Sequence, residues 1–166
     1  MAIKDWFIAE LKLESDSTKK MLERVPLDKQ DWKPHEKSMP VGHLATHLAE
    51  MQHWITDILA ADEFDFAKAN FKPTVASSTE ELLSIFQDTF DKAIASLENA
   101  SDEDFKKIWT VKNGDTVMFQ IPKNVSIRRW AFSHMIHHRG QLSVYLRLLD
   151  VPVPGMYGPT ADESFM

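Results

Sequence analysis

The chain has 166 residues, 25 acidic against 19 basic, a formal net charge of −6 and no cysteine. A single domain of this length can form a core without staples, and the missing thiol excludes disulfides, thiolate metal sites, iron–sulfur clusters and a cysteine nucleophile, leaving His, Asp and Glu as metal ligands. The acidic balance runs against nucleic-acid binding, which needs Lys and Arg on phosphates; no signal-peptide or membrane-spanning pattern is present, so a soluble cytoplasmic protein is expected.

Apolar residues recur with helical period over long stretches, and no repeat, low-complexity tract or linker divides the chain, so 1–166 reads as a single domain of four main helices. The first runs from about Ile3 to Val25 and is ended by Pro26. The second begins at Ser38, a candidate N-cap, tolerates Pro40 in its first turn and continues to about Ala61. Asp62 to Ser77 is long for a helix–helix connection, and Pro73 keeps part of it non-helical; such a segment crosses the fold or covers a site. The third helix opens on the capping-box pattern Ser78-Thr79-Glu80-Glu81 and runs to about Asn99, with a short helical turn expected at Ser101 to Phe105.

Trp109 to Ile121 is rich in β-branched and aromatic residues around Asn113-Gly114, the signal of a small hairpin, which needs to pack on the helices to persist. The fourth helix runs from near Asn124 to about Leu149. The Pro- and Gly-rich tail beyond it lies along the surface, with Met156 and Tyr157 as anchors. Short basic pairs, Lys19-Lys20, Lys106-Lys107 and Arg128-Arg129, read as solvated faces or loops, and the Trp and Phe residues at helical spacing (Trp6, Phe7, Trp54, Phe86, Phe90, Trp130) mostly as core.

Seven histidines occur, five of them in two clusters, His43 and His47 on the second helix and His134, His137 and His138 on the fourth. Residues four apart share a helix face, so an H-x-x-x-H pair can present two imidazoles to one ion. On the fourth helix Ile127, Ala131, Leu142, Tyr145 and Leu149 define the inward face, with His134 and His138 near its middle and His137 at its edge. On the second, Leu44, Leu48, Met51, Ile55 and Ile58 mark the inward stripe; His47 lies inside its border, His43 nearer the flank, and His53 points away. Inward imidazoles must be satisfied, either by hydrogen-bonding neighbours or by a metal. Three protein ligands with open positions would suit a catalytic rather than a closed structural site.

The first helix carries an anomaly. Glu10, Glu14, Ser17 and Thr18 interrupt a face otherwise formed by Ile3, Phe7, Met21 and Val25. Either that end of the helix meets solvent, or Glu14 enters a polar cavity beside the histidines, where it could orient water or act as a general base. Glu50 and Gln141, each three residues after a candidate ligand, are candidates to hydrogen-bond an imidazole, although solvation explains Glu50 equally well. No Gly-rich phosphate loop or nucleophile elbow is present.

The run H134-M-I-H-H-R-G-Q-L-S-V-Y-L-R147 ahead of a P-G-M-Y-G-P tail, the stretch K37-S-M-P-V-G-H-L-A-T-H-L-A-E50 and the entry W32-K-P-H-E-K37 resemble the DinB family of damage-inducible proteins. The resemblance covers nearly the whole chain. It implies an all-α four-helix bundle with a long crossover between helices two and three, commonly a homodimer. It also implies a divalent metal, nickel or zinc, held by His47, His134 and His138, the three residues that helix phase selects. The wider superfamily includes thiol-dependent S-transferases. The leading expectation is therefore a metal-dependent thiol transferase or hydrolase acting on a small-molecule substrate, with a low-molecular-weight thiol as one candidate. Its rival is a non-catalytic stress-response binding or interaction protein with a structural or incidental metal.

Overall fold

The structure is a computed structural model and describes residues 2–69 and 74–164. Its helices are α1 (Ile3–Leu22), α2 (Val41–Glu50), α3 (His53–Ala60), α4 (Thr79–Asn99), α5 (Asp102–Lys106), α6 (Lys123–Ile127) and α7 (His134–Leu148); a π-helical segment, Arg128–Ser133, joins the last two. The strands are β1 (Glu63–Asp65), β2 (Ile108–Asn113) and β3 (Thr116–Pro122). Helix α4 packs along α1, α2 and α3, while α7 closes against α1 and α2. Leu11, Met21, Leu22, Leu44, Leu48, Ile55, Leu82, Leu97, Phe132, Leu142 and Leu146 fill the space between them and are buried.

The helix ends reflect local chemistry. Pro26 disfavours a helical residue before it, so α1 stops at Leu22 and the chain reaches a buried Val25 through tight turns, Arg24 N–H to Met21 O and Val25 N–H to Leu22 O. Helix α2 begins at Val41 and not at Ser38, because backbone carbonyls satisfy its first donors: Val41 N–H bonds Trp32 O at 2.8 Å and Gly42 N–H bonds Gln30 O at 3.0 Å. That approach requires glycine at 42, where a Cβ would lie 2.8 Å from Gln30 Cβ. Ser78 caps α4 as expected, accepting from Glu81 N–H. Helix α7 ends in a Schellman arrangement, Val151 N–H to Leu146 O and Asp150 N–H to Arg147 O, with Asp150 in the left-handed region at φ 58°.

Three expectations are corrected. The second helix is two pieces, because buried Gln52 turns inward at the Met51-Gln52 joint and accepts from Ser15 Oγ of α1 at 3.1 Å; the His53 ring bonds the freed Glu50 carbonyl at 2.6 Å. The chain is mostly helical but not all-α. Glu63–Asp65 pairs in parallel with β2, which pairs antiparallel with β3, giving a sheet of order β1-β2-β3. The signal for β1 was the alternation Glu63-Phe64-Asp65-Phe66, whose two phenyl rings share a face 5.1 Å apart. Thirdly, Trp6 is 66% exposed rather than core.

The hairpin is present, with its turn one residue later than Asn113-Gly114 suggests. Asn113 pairs with Thr116, leaving Gly114-Asp115 as the turn, and Gly114 alone carries positive φ, as a II′ turn requires. Asp65 Oδ1 accepts from Gly114 N–H at 2.9 Å and fastens β1 to that turn. The sheet rests on the helices through aromatic rings: Trp109 and Trp130 lie 6.3 and 5.3 Å from Trp54 of α3, and Phe119 lies 5.9 Å from Trp130 of the π segment. Of the proposed crossover Asp62–Ser77, residues 70–73, Pro73 among them, lie outside the described residues. Its far end is tied to α2 by Ala76 N–H on Thr46 Oγ1 at 2.9 Å.

Candidate metal centre

Helices α2 and α7 pack together, and the imidazoles of His47, His134 and His138 meet between them. One ring nitrogen from each lies within 4.8 Å of the others, so the three could hold a metal ion. The His47 ring is 4.8 Å from that of His138 and 5.5 Å from that of His134, centroid to centroid. The Nε2 atoms of His134 and His138 are only 2.8 Å apart; two imidazole nitrogens at that distance share one hydrogen or face one ion. His138 is buried and the other two are half-buried.

Burial removes these rings from water and disfavours the imidazolium form. It lowers the pKa of His47 and His134 from 6.5 to about 4, assisted in both cases by the mutual repulsion of the neighbouring imidazoles. His138 is also lowered by burial, with an opposing contribution from its hydrogen bond to Gln141. All three are therefore neutral near pH 7, the form in which imidazole ligates. Gln141 Oε1 lies 2.7 Å from His138 Nδ1. With Nδ1–H donating to that carbonyl, Nε2 keeps its lone pair on the side of the other two rings. A donor set of three neutral imidazoles fits zinc, nickel, copper or iron better than magnesium or calcium.

The remaining candidates lie elsewhere. His137 is exposed on the flank of α7, its ring 5.0 Å from that of His138 but outside the three-residue group. His43 is likewise outside it, and His53 is engaged with the Glu50 carbonyl. The Glu50 carboxylate accepts from Thr74 Oγ1 and not from an imidazole. Glu14 is not in the group either. Its carboxylate pairs with Arg139 Nη2 at 2.5 Å and accepts from Tyr157 Oη at 2.7 Å. Arg139, 2% exposed, also donates to the Glu14 carbonyl and to Thr18 Oγ1, and it contacts the Tyr157 hydroxyl. The polar interruption of α1 is thus the socket for a buried guanidinium one residue beyond His138. Glu10, a turn earlier, pairs with Arg128.

Two features of the site are not anticipated by sequence reasoning. One is Arg139, whose signal was available in principle: a carboxylate and a hydroxyl four apart on an apolar face of α1 call for a cation opposite. The other is the π segment Arg128–Ser133, for which the residues carry no evident signal. Its wider turn shifts the phase of the remainder of the helix by one residue, about 100°, and it delivers His134 as the first residue of α7. An open cleft of about 460 Å³ lies over this junction, lined by Arg129, Trp130, Ser133, His134 and His137. His134 is therefore shared between the imidazole group and a recess of small-molecule size.

A family model described as the DinB family matches residues 4–164. The uncharacterized protein YrdA of Bacillus subtilis (strain 168) is 26% identical over 163 residues, covering 96% of this chain and 90% of YrdA. Among solved structures, a DinB-like protein from Bacillus cereus ATCC 10987 superposes with a TM-score of 0.71 at 20% identity, covering 94% of this chain and 98% of that one. A DinB-like protein from Bacillus subtilis, YjoA, gives a TM-score of 0.67 at 18% identity, covering 96% and 98%. At those identities the likeness concerns the fold.

Proposed function

Because the chain belongs to the DinB family, we propose that it is a metal-dependent enzyme of thiol-transferase or hydrolase type, with His47, His134 and His138 as the ligands of a divalent ion, zinc or nickel. The observation that carries this reading is the convergence of three neutral imidazoles from two helices, with no carboxylate in the group among the described residues. When bound, such an ion lowers the pKa of a coordinated thiol or water and makes a nucleophile near neutral pH. Three protein ligands leave positions for that nucleophile and a substrate.

The chain's own residues have distinct tasks in this reading. Gln141 holds His138 with Nε2 turned toward its partners. Glu14, taken from the sequence as a candidate base, serves through Arg139: the ion pair clamps α1 to α7 one residue from His138 and makes Glu14 a positioning residue. The cleft beside His134 admits a small-molecule substrate, a low-molecular-weight thiol or its electrophilic partner. A homodimer belongs to the same reading. No helix among the described residues is long and apolar enough to cross a membrane.

Elemental analysis of protein purified without a histidine tag tests the site. Near-stoichiometric zinc or nickel is expected in the wild type, and its loss in the His134→Ala/His138→Ala double variant. Wild-type protein that stays metal-free after incubation with either ion would refute the site. The loaded protein is then screened with small thiols and electrophiles. Turnover supports the enzyme; its absence across the panel, with metal removal only lowering the melting temperature, favours a structural ion.

A further inference from the structure

Five arginines occur in the chain, and four of them are paired with a carboxylate. Arg24 meets Glu163 at 2.6 Å, Arg139 meets Glu14, Arg147 meets Asp162 at 2.5 Å, and Arg128 meets Glu10. Arg129 has no carboxylate partner among the described residues, although acids outnumber bases in the chain. Its guanidinium is nevertheless held, 5.7 Å from the centre of the Phe119 ring on β3, in a cation–π contact that limits its rotamers. It lines the cleft it shares with His134, and none of the five residues around that cleft is acidic. The Ser133 hydroxyl, on the same wall, makes no hydrogen bond among the described residues.

From this arrangement we propose that the cleft binds a small organic anion, a carboxylate or phosphate ester, with Arg129 as the residue that recognises its charge. A guanidinium presents two parallel N–H donors to a carboxylate or phosphate. Ser133 offers a further donor, and Trp130 an aromatic wall for the apolar body of the molecule. The π segment places Arg129 and His134 on one cleft, so a substrate held by its anionic end at Arg129 presents its remainder at the imidazole group. The inference rests on the proposed function for what happens at His134, but recognition by Arg129 requires no ion.

The test uses full-length, metal-stripped protein at fixed ionic strength and follows ligand binding by saturation-transfer NMR and calorimetry. Benzoate and phenyl phosphate are the anionic probes; benzamide and benzyl alcohol are their neutral counterparts. Wild type is expected to favour the anions by about tenfold, the difference of one charge-assisted hydrogen-bonded pair. Arg129→Gln should remove that preference, whereas Arg128→Gln, whose guanidinium is already paired with Glu10, should keep it. No anion preference in the wild type, a preference that survives in Arg129→Gln, or an equal loss in both variants overturns the assignment. A parallel cobalt titration of the same wild-type protein reports on the imidazole group. Absence of cobalt binding counts against the metal reading alone, and absence of the anion preference counts against Arg129 alone.

Discussion

Arg139 shows how much one side chain can determine in this fold. A buried guanidinium persists only when its charge and donors are met, and here Glu14, Thr18 and Tyr157 accept from it, from α1 and the tail. Glu14→Ala leaves that charge buried and unpaired and is expected to destabilise the protein by about 3–5 kcal/mol. Glu10→Ala breaks the more exposed pair with Arg128 and should cost less than about 1 kcal/mol. Urea unfolding of the two variants measures the contrast, and equal losses would remove the distinction. The imidazoles respond to pH in a direction fixed by their shifts. His47 and His134 have folded pKa values near 4, below the ordinary 6.5, so the unfolded chain takes up protons first as pH falls. The stability this carries is complete above pH 6.5 and is lost as pH falls toward 4. Unfolding of metal-free protein across that window should show a steeper decline in wild type than in His47→Ala; parallel curves would place the protonation elsewhere. The histidines that the fold brings together were legible in the sequence, because four-residue spacing and the apolar stripe define a helix face. Arg139 was legible only through its partners: Glu14 and Thr18 mark a polar socket on α1, but nothing local to α7 says which cation fills it.

Among the elements, α4 was readable to the residue: Ser78 and Glu81 are local signals that no tertiary contact overrides. The second helix was not, since its break at Met51-Gln52 answers to Ser15 on another helix. Strand β1 depends in the same way on a partner 47 residues away in the chain, Thr110 opposite Glu63, and its alternating pattern is too short to stand out. The π segment is set by what packs around it: Trp130 lies on Trp54 and Phe119, and Phe132 on Phe7. The Ser15–Gln52 contact yields a further prediction. Gln52 Oε1 accepts from Ser15 Oγ, but its buried Nε2 has no partner among the described residues, so the joint is incompletely satisfied. Gln52→Met alone strands the Ser15 hydroxyl and is expected to cost about 1–3 kcal/mol. Adding Ser15→Ala removes both polar groups and should restore stability to within about 1 kcal/mol of wild type or raise it. If the two losses instead add in urea unfolding, the joint needs its hydrogen bond.

At the scale of the molecule, α7 is tied to the rest of the chain at several levels. Arg147 holds Asp162 of the tail, Arg139 holds Glu14 of α1, and the imidazoles of His134 and His138 face His47 of α2. An ion in that last position would be bound by the folded chain and not by the unfolded one, in which the three ligands are far apart. Folding stability then rises with free metal as RT ln(1 + [L]/Kd), about 2.7 kcal/mol at a hundredfold excess over Kd. For a chain of this length each kilocalorie moves the melting temperature by roughly 2–4 °C, so zinc at that excess should raise it by about 5–10 °C. The net charge of −6 attracts any cation, and magnesium controls for that, because it prefers oxygen ligands and should give little shift. His138→Ala removes one ligand and should abolish most of the zinc effect while leaving the metal-free melting temperature close to that of wild type, since truncation also relieves imidazole crowding. A zinc shift that magnesium reproduces, or that survives in His138→Ala, would mean that the cation acts on the surface charge and that the three histidines meet for packing alone.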